Sequence, residues 1–505
     1  MAILTVLVGL VYLNSFPGEF HLDDFELLLE NPGLTQEPFR YGSFLDHYGG
    51  RPLTLWSFHL NYALAGDSPL SYHAVSLLLH VLATLGLFLL LTRPWPSPAT
   101  SRKSDTEPRE PAPKRSPLLP LPWAFAAAAL FALHPLQSQP VNYIWSRSML
   151  LTAVFSLAAL LLAGRRRWVA MAAWQLALWS RMDAIVLLPF LLLAEGRLSR
   201  RWMIQAGANL ALFAGSILYY SPADVAWNYS DPWAFWMAQP AALAHYLRLM
   251  LWPSELTIEH DLQPSLFMGL AGVAVLALTA VLLFRALKRL PGRGAWAEAQ
   301  ALPARGGSAR FRKWAGPGLY LPALGLAWTL AWLAPSMLIP NAELLNESRA
   351  YVALAGMAAL LCWLLSRMAS RLKGEASWTA ATVMTVLLLL AGAGVRERNQ
   401  IWLDDVALYR EAVQRSPQKM RVHYNLGSAL AREGEPGRAE DSFRRALKLD
   451  PLDDLNHSAM GYCAEVQGRM AEAVQHYRRA LELNPYNRRA ADGLDRLSPV
   501  PKDAL

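Results

Sequence analysis

The chain has 505 residues, 54% of them apolar and only 17% charged, with 19 Trp and a formal charge of +8. That length exceeds one ordinary globular domain, and so apolar a composition points to lipid and away from a string of soluble domains. Cys362 and Cys463 lie in unrelated segments, which excludes a disulfide framework, a CxxC pair and a cysteine-based metal site; no zinc-finger spacing or RNP-like stretch turns the basic charge toward nucleic acid.

The first apolar run, residues 2–16, has no basic segment before it and no small-residue cleavage pattern ahead of Pro17, which predicts a retained first span. A bilayer core of ~30 Å needs ~20 apolar helical residues. Runs approaching that length follow at 72–92, 122–138, 148–163, 202–220, 265–284, 319–338, 349–366 and 377–394. Two shorter runs, 168–180 and 184–194, flank Arg181 and Asp183 as two short helices or one re-entrant pair; either way the number of crossings is even. The pattern predicts an all-α, polytopic membrane helical bundle of about eleven spans. Residues 233–261 are too polar at their ends for a span and read as an outer interfacial helix with Trp anchors, leading to His260 and Asp261. Connectors 93–121 and 285–318, rich in mixed charge, read as flexible and cytoplasmic.

Sidedness follows from basic residues. Loops 93–121, 164–167, 195–201, 285–318 and 367–376 hold 6, 3, 3, 8 and 3 Lys and Arg, whereas the alternate loops hold Arg40, Arg51, Arg147, Arg181, Arg248 and Arg349. Basic residues are retained in the cytoplasm, so the first set is predicted inside and the second outside. An odd number of spans then places the N-terminus inside and everything beyond about residue 395 outside.

That last part repeats itself. Pro417, Pro451 and Pro485 are 34 residues apart, and so are Gly427 and Gly461, Ala439 and Ala473, Phe443 and Tyr477, and Ala446 and Ala480. Small residues where two antiparallel helices cross, an aromatic on the second helix and a closing Pro are what tetratricopeptide packing requires. The expected domains are therefore residues 1–394 in the membrane, a linking helix at 395–416, and C-terminal helical repeats with a capping helix at 417–497. Such repeats offer a concave surface to a partner and no chemistry of their own.

Polar residues on the outer side carry the candidate chemistry, because an ionisable group at membrane depth costs roughly 2.5–3.5 kcal/mol and is seldom kept without use. Asp23 and Asp24 sit just past the first span. Adjacent carboxylates repel, so one becomes more basic or both hold a divalent cation. The alternative is a solvated acidic loop or an Asp that caps a short helix. Arg51, Arg147, Arg181 and Arg349 are suited to gripping a lipid phosphate in bidentate fashion. The alternative is that they snorkel, or pair with Glu347 or Asp183. His80 and His134 suit substrate binding or hydrogen bonds within the bundle. No HExxH, GxSxG or phosphate-cradling glycine loop is present, which disfavours hydrolases of those classes and nucleotide-driven pumps.

The blocks HLDDFELLLENPGL, RPLTLWSFHLNYALAGDSPLSYHAVSLLLH, ALFALHPLQSQPVNYIWSRSMLL, YLRLMLWPSELTIEHD, PNAELLNESRAY and RNQIWLDDVALY, in that order and followed by repeats, resemble the transmembrane and tetratricopeptide-repeat O-mannosyltransferases and their prokaryotic relatives. The resemblance covers nearly the whole chain apart from the two connectors. It implies a GT-C glycosyltransferase fold that moves a sugar, mannose or similar, from a polyprenyl-phosphate donor to Ser or Thr of an acceptor protein on the periplasmic or lumenal face. It implies a catalytic role for the acidic pair, matched by Asp23 and Asp24. The family's RP matches Arg51 and Pro52, its H-P block with a later arginine matches His134, Pro135 and Arg147, and its E-x-R-x-Y block matches Glu347, Arg349 and Tyr351. Where relatives commonly show Lys-Glu, this chain has Arg181-Met182, a departure that bears on donor choice. The implied partners are the donor lipid, membrane lipid and an acceptor protein held by the repeats. The short length favours a bacterial inner membrane with periplasmic repeats over the alternative, an endoplasmic reticulum membrane. A membrane-anchored scaffold for envelope assembly and a transporter are the competing readings of the same residues.

Overall fold

The structure is a computed structural model that describes residues 1–21, 24–29, 31, 51–93, 117–195, 199–220, 231–288, 320–341, 343–371 and 376–497. Asp23, most of the first outward loop and nearly all of both connectors lie outside these residues. The described chain is all-α and divides into two units, Met1–Ser254 with Pro264–Asn399, and Glu255–Gln263 with Gln400–Leu505.

Among the described residues six helices are long and apolar enough to cross a membrane: Pro69–Thr92, Ile144–Leu162, Leu266–Phe284, Leu321–Leu338, Glu347–Arg371 and Trp378–Ile401. They coincide with six of the eleven apolar runs. Ala2–Ser15 and Leu121–Leu133 are apolar but shorter. Leu266 and Phe267 are about four-fifths exposed, and Leu389 and Leu390 about two-thirds, a disposition that lipid tolerates and water does not. The chain is a polytopic membrane protein. Residues 232–251 form one helix, Pro232–Leu251, started by the Asp231 carboxylate, which accepts from the N–H groups of Trp233 and Ala234. Trp233 and Trp252, at its two ends, are largely exposed.

Small residues set the helix crossings of the first unit. A Cβ added to Gly356 would lie 2.5 Å from the carbonyl oxygen of Gly325, and one added to Gly325 would lie 2.8 Å from that of Gly356, so the helices Tyr320–Leu338 and Ala350–Arg371 touch backbone to backbone. Thr329 Oγ1 donates to Ala353 O at 3.1 Å and Trp328 Nε1 to Val352 O at 2.8 Å, which locks that crossing with polar contacts that lipid cannot replace. At the foot of Pro69–Thr92, the Arg93 guanidinium donates to the carbonyls of Leu160, Leu161 and Ala163 and so closes the end of the Arg147–Leu162 helix.

The second unit is built from helix pairs. Asp405–Arg415 is followed by Met420–Arg432 with Pro436–Leu449, Asp454–Val466 with Met470–Leu483, and a last helix, Arg488–Leu497. The 34-residue pairs meet as that spacing requires: a Cβ on Gly427 would strike the Phe443 ring at 2.6 Å, and one on Gly461 the Tyr477 ring at 2.7 Å. Gly434 and Gly468, a further pair at the same offset, turn between the helices at φ 78°, where other residues are strained. Glu440 joins Arg444 to Arg469 across the repeats, and Glu465 binds both Tyr477 and Arg496.

Residues 255–263 also belong to this unit, which no repeat pattern announces. Ser416 Oγ donates to Glu259 O at 2.7 Å and accepts from Asp261 N at 3.1 Å, while Arg421 Nε binds the Glu259 carboxylate at 2.9 Å.

Candidate active site

Four short segments of the first unit converge on one cavity of about 290 Å³ whose lining includes Arg51, Arg181, Arg349, Glu343, Trp145 and Asn346. Arg51 stands immediately before Pro52, the first residue of the Pro52–Ala65 helix, where a missing N–H is harmless. Thr54 Oγ1 donates to Ser180 O at 3.2 Å, which ties the start of this helix to the end of Arg167–Ser180 and so brings Arg51 and Arg181 to the same rim. Arg181 binds Asp183 through Nε and Nη2 at 2.8 and 2.6 Å.

The third arginine is positioned by its own loop. Asn346 caps Ser348 with its side-chain oxygen and donates to the Glu343 carboxylate at 2.7 Å, and its backbone exchanges hydrogen bonds with the Tyr246 hydroxyl. Arg349 Nη1 donates to Glu343 O at 3.0 Å. These bonds fold residues 343–349 before any ligand arrives, so little ordering is left to bind one. Three guanidiniums, set against the Glu343 and Asp183 carboxylates, make the cavity suited to an anion that accepts planar, forked hydrogen bonds.

Asp24 stands behind this wall. It has no exposed surface; Oδ1 accepts from the Trp145 N–H at 2.8 Å and Oδ2 from the His21 N–H at 3.0 Å. Its partner in the acidic pair, Asp23, lies outside the described residues, and with it the divalent cation expected at the pair. Among the described residues no three His, Cys, Asp or Glu side chains come together to hold a metal.

The remaining expected site residues are not on the cavity surface. Arg147 is fully buried: Nη2 donates to Asn61 Oδ1 at 2.8 Å and to Tyr72 O at 3.3 Å, Nη1 to Ser57 O at 3.3 Å, and its guanidinium lies over the rings of Phe58 and Tyr72. His134 accepts from the Leu136 N–H on Nδ1 and therefore donates from Nε2 to Met250 O at 3.1 Å. Tyr351, equally buried, donates its hydroxyl to Nδ1 of His80, whose Nε2 donates to Ala132 O. Glu347 has no exposed surface. The sequence reading passed over Trp145, Glu343 and Asn346. The last two sit in the same PNAELLNESRAY block as Arg349, but nothing in their spacing said which of its polar residues face inward.

A polytopic helical bundle that gathers three arginines around one cavity, joined to helical repeats, defines the class: an all-α membrane protein with a C-terminal tetratricopeptide-repeat domain. Tetratricopeptide-repeat family models match residues 406–454 and 455–487. The chain is 24% identical over 89% of its length to a protein O-mannosyl-transferase of Caenorhabditis elegans. It is 31% identical over 30% of its length to protein O-mannosyl-transferase TMTC2 of Mus musculus and, over a like share, to protein O-mannosyl-transferase TMTC1 of Homo sapiens. The chain spans 63% of the C. elegans relative and 17% and 16% of the other two. The resemblance read from the ordered sequence blocks is thus found again as similarity to this family along nearly the whole chain.

Proposed function

We propose that the chain is a GT-C membrane glycosyltransferase that moves mannose or a similar sugar from a polyprenyl-phosphate donor to Ser or Thr hydroxyls of proteins on the non-cytoplasmic face. One observation carries the reading: Arg51, Arg181 and Arg349, distant in sequence, line a single cavity whose Trp145 wall is hydrogen-bonded to Asp24. Similarity to protein O-mannosyl-transferases supplies the sugar and the class of acceptor.

In the reaction so read, the acceptor oxygen attacks the anomeric carbon, its proton passes to a carboxylate of the Asp23 and Asp24 pair, and the bond from that carbon to the phosphate oxygen breaks. Configuration inverts, and the lipid phosphate leaves with the charge that the cavity arginines stabilise. The basic-residue distribution supports about eleven spans, an N-terminus inside and repeats outside, in a bacterial inner membrane or that of the endoplasmic reticulum. The repeats, residues 417–497, hold or orient the acceptor, and the linking helix at 395–416 joins them to the membrane domain.

Purified protein incubated with labelled polyprenyl-phosphate mannose and an acceptor protein should form a covalent glycoprotein, and Arg349→Gln should reduce its yield at least tenfold, on the order of the loss from removing one charge-stabilising donor. A wild-type protein that forms no product, while repeats alone restore function to a null strain, would establish the scaffold reading in its place.

A further inference from the structure

We propose that Asp24 is a positioning residue that fixes the Trp145 wall of the arginine-lined cavity, and that it does not itself take the acceptor's proton. This inference rests on the transferase reading above and divides the work of the acidic pair.

Asp24 is no part of the cavity lining, whereas Trp145, Tyr143 and Ser146 are. Its side chain is fully enclosed, and each oxygen already accepts a main-chain N–H, one from Trp145 and one from His21. The backbone repeats the closure, since Asp24 N donates to His21 O at 2.9 Å. A proton acceptor must come within hydrogen-bond reach of the hydroxyl it serves. Asp24 instead reaches the peptide unit of Trp145, whose ring stacks on Phe58 at 5.7 Å with an interplanar angle of 8°. Held at its backbone by Asp24 and at its ring by Phe58, Trp145 is fixed at both ends. Asn in place of Asp24 keeps the shape but presents an NH2 group to one of the two N–H donors, so one bond is lost and two donors face each other.

The test uses the full chain, purified in detergent, and a short-chain polyprenyl monophosphate as probe. Asp24→Asn should weaken binding of that probe roughly 10- to 100-fold, the scale of losing a group that orients a binding shell. It should also speed hydrogen exchange at the Trp145 N–H, while its residual mannose transfer keeps the wild-type pH profile. Unchanged probe binding with transfer reduced to background would overturn the inference, because Asp24 would then act on the chemistry; so would binding, exchange and transfer all like wild type. If Asp24→Asn does not fold, exchange in the wild type decides: a Trp145 N–H as protected as helix-interior amides upholds the bond, and one exchanging like a surface amide removes it. A wild type that transfers no sugar sinks the transferase reading alone and leaves the binding and exchange comparison standing.

Discussion

The guanidinium of Arg147 lies 4.3 Å above the ring of Phe58, and that same ring stacks on Trp145 of the cavity wall. A buried cation thus supports the site through two aromatic layers without touching the cavity. Its donors are taken up by Asn61 Oδ1 and by the helix carbonyls of Ser57 and Tyr72.

Arg147→Ala should therefore destabilise the membrane unit by about 1–3 kcal/mol, since it abandons the buried Asn61 acceptor. Arg147→Lys should fall between, because an ammonium retains the charge but cannot present the same fork. Denaturant titration of the purified protein reads both. An Arg147→Ala protein as stable as wild type, with donor binding selectively lost, would instead make this arginine a direct ligand.

Gly356→Leu should disrupt the crossing of Tyr320–Leu338 with Ala350–Arg371, because even a Cβ there lies 2.5 Å from the Gly325 carbonyl. Overpacking of this kind typically costs about 1–3 kcal/mol, and more where backbone must move. Gly269→Ala, with nothing within 4 Å of the added Cβ, is the control and should melt within a degree or two of wild type. Thermal melts of the two variants side by side check the pair.

The repeats should lose stability in two stages as pH falls. His457 donates from Nε2 to Pro451 O, so its Nδ1 is the acceptor and Nδ1–H of His476 the donor across 3.2 Å. Burial, and then the neighbouring His457, hold His476 below its usual 6.5, against the opposite pull of Glu472 and Glu440. A base whose folded pKa is depressed stabilises the fold above its unfolded value, so this contribution fades as pH drops below about 6.5. Glu465 is held below the usual 4.5 by hydrogen bonds from Arg496, against burial and with help from the Tyr477 hydroxyl. Its contribution is present above that value and fades below it. Protection factors for hydrogen exchange across residues 454–483 of the full chain should fall from about pH 6.5 downward. His476→Gln should abolish the first stage and leave the second.

Ser416→Ala should loosen the strap 255–263 by removing both bonds of one hydroxyl, about 1–2 kcal/mol at the net value of a hydrogen bond, and Arg421→Glu should add repulsion against Glu259. Limited proteolysis within residues 255–263 should become several-fold faster in each variant. Equal cleavage rates would mean that Ser416 and Arg421 do not hold the strap.

Much of this protein was legible along the chain. Apolar runs marked the helices because lipid demands about 20 apolar residues in succession, and the repeats announced themselves because each 34-residue unit solves the same packing problem, Gly427 on Phe443 and Gly461 on Tyr477. Both signals are local, set by neighbours within one or two turns or by a fixed period. Tertiary structure alone decided which charged residues meet: sequence treated Arg51, Arg147, Arg181 and Arg349 alike, yet three line a cavity and Arg147 is sealed among aromatic rings and carbonyls. It also turned Asp24 inward to Trp145 and joined residues 255–263 to Ser416, contacts between segments 121 and up to 157 positions apart. Side-chain direction at such separations depends on how helices rotate and cross, and no spacing within a single segment encodes that.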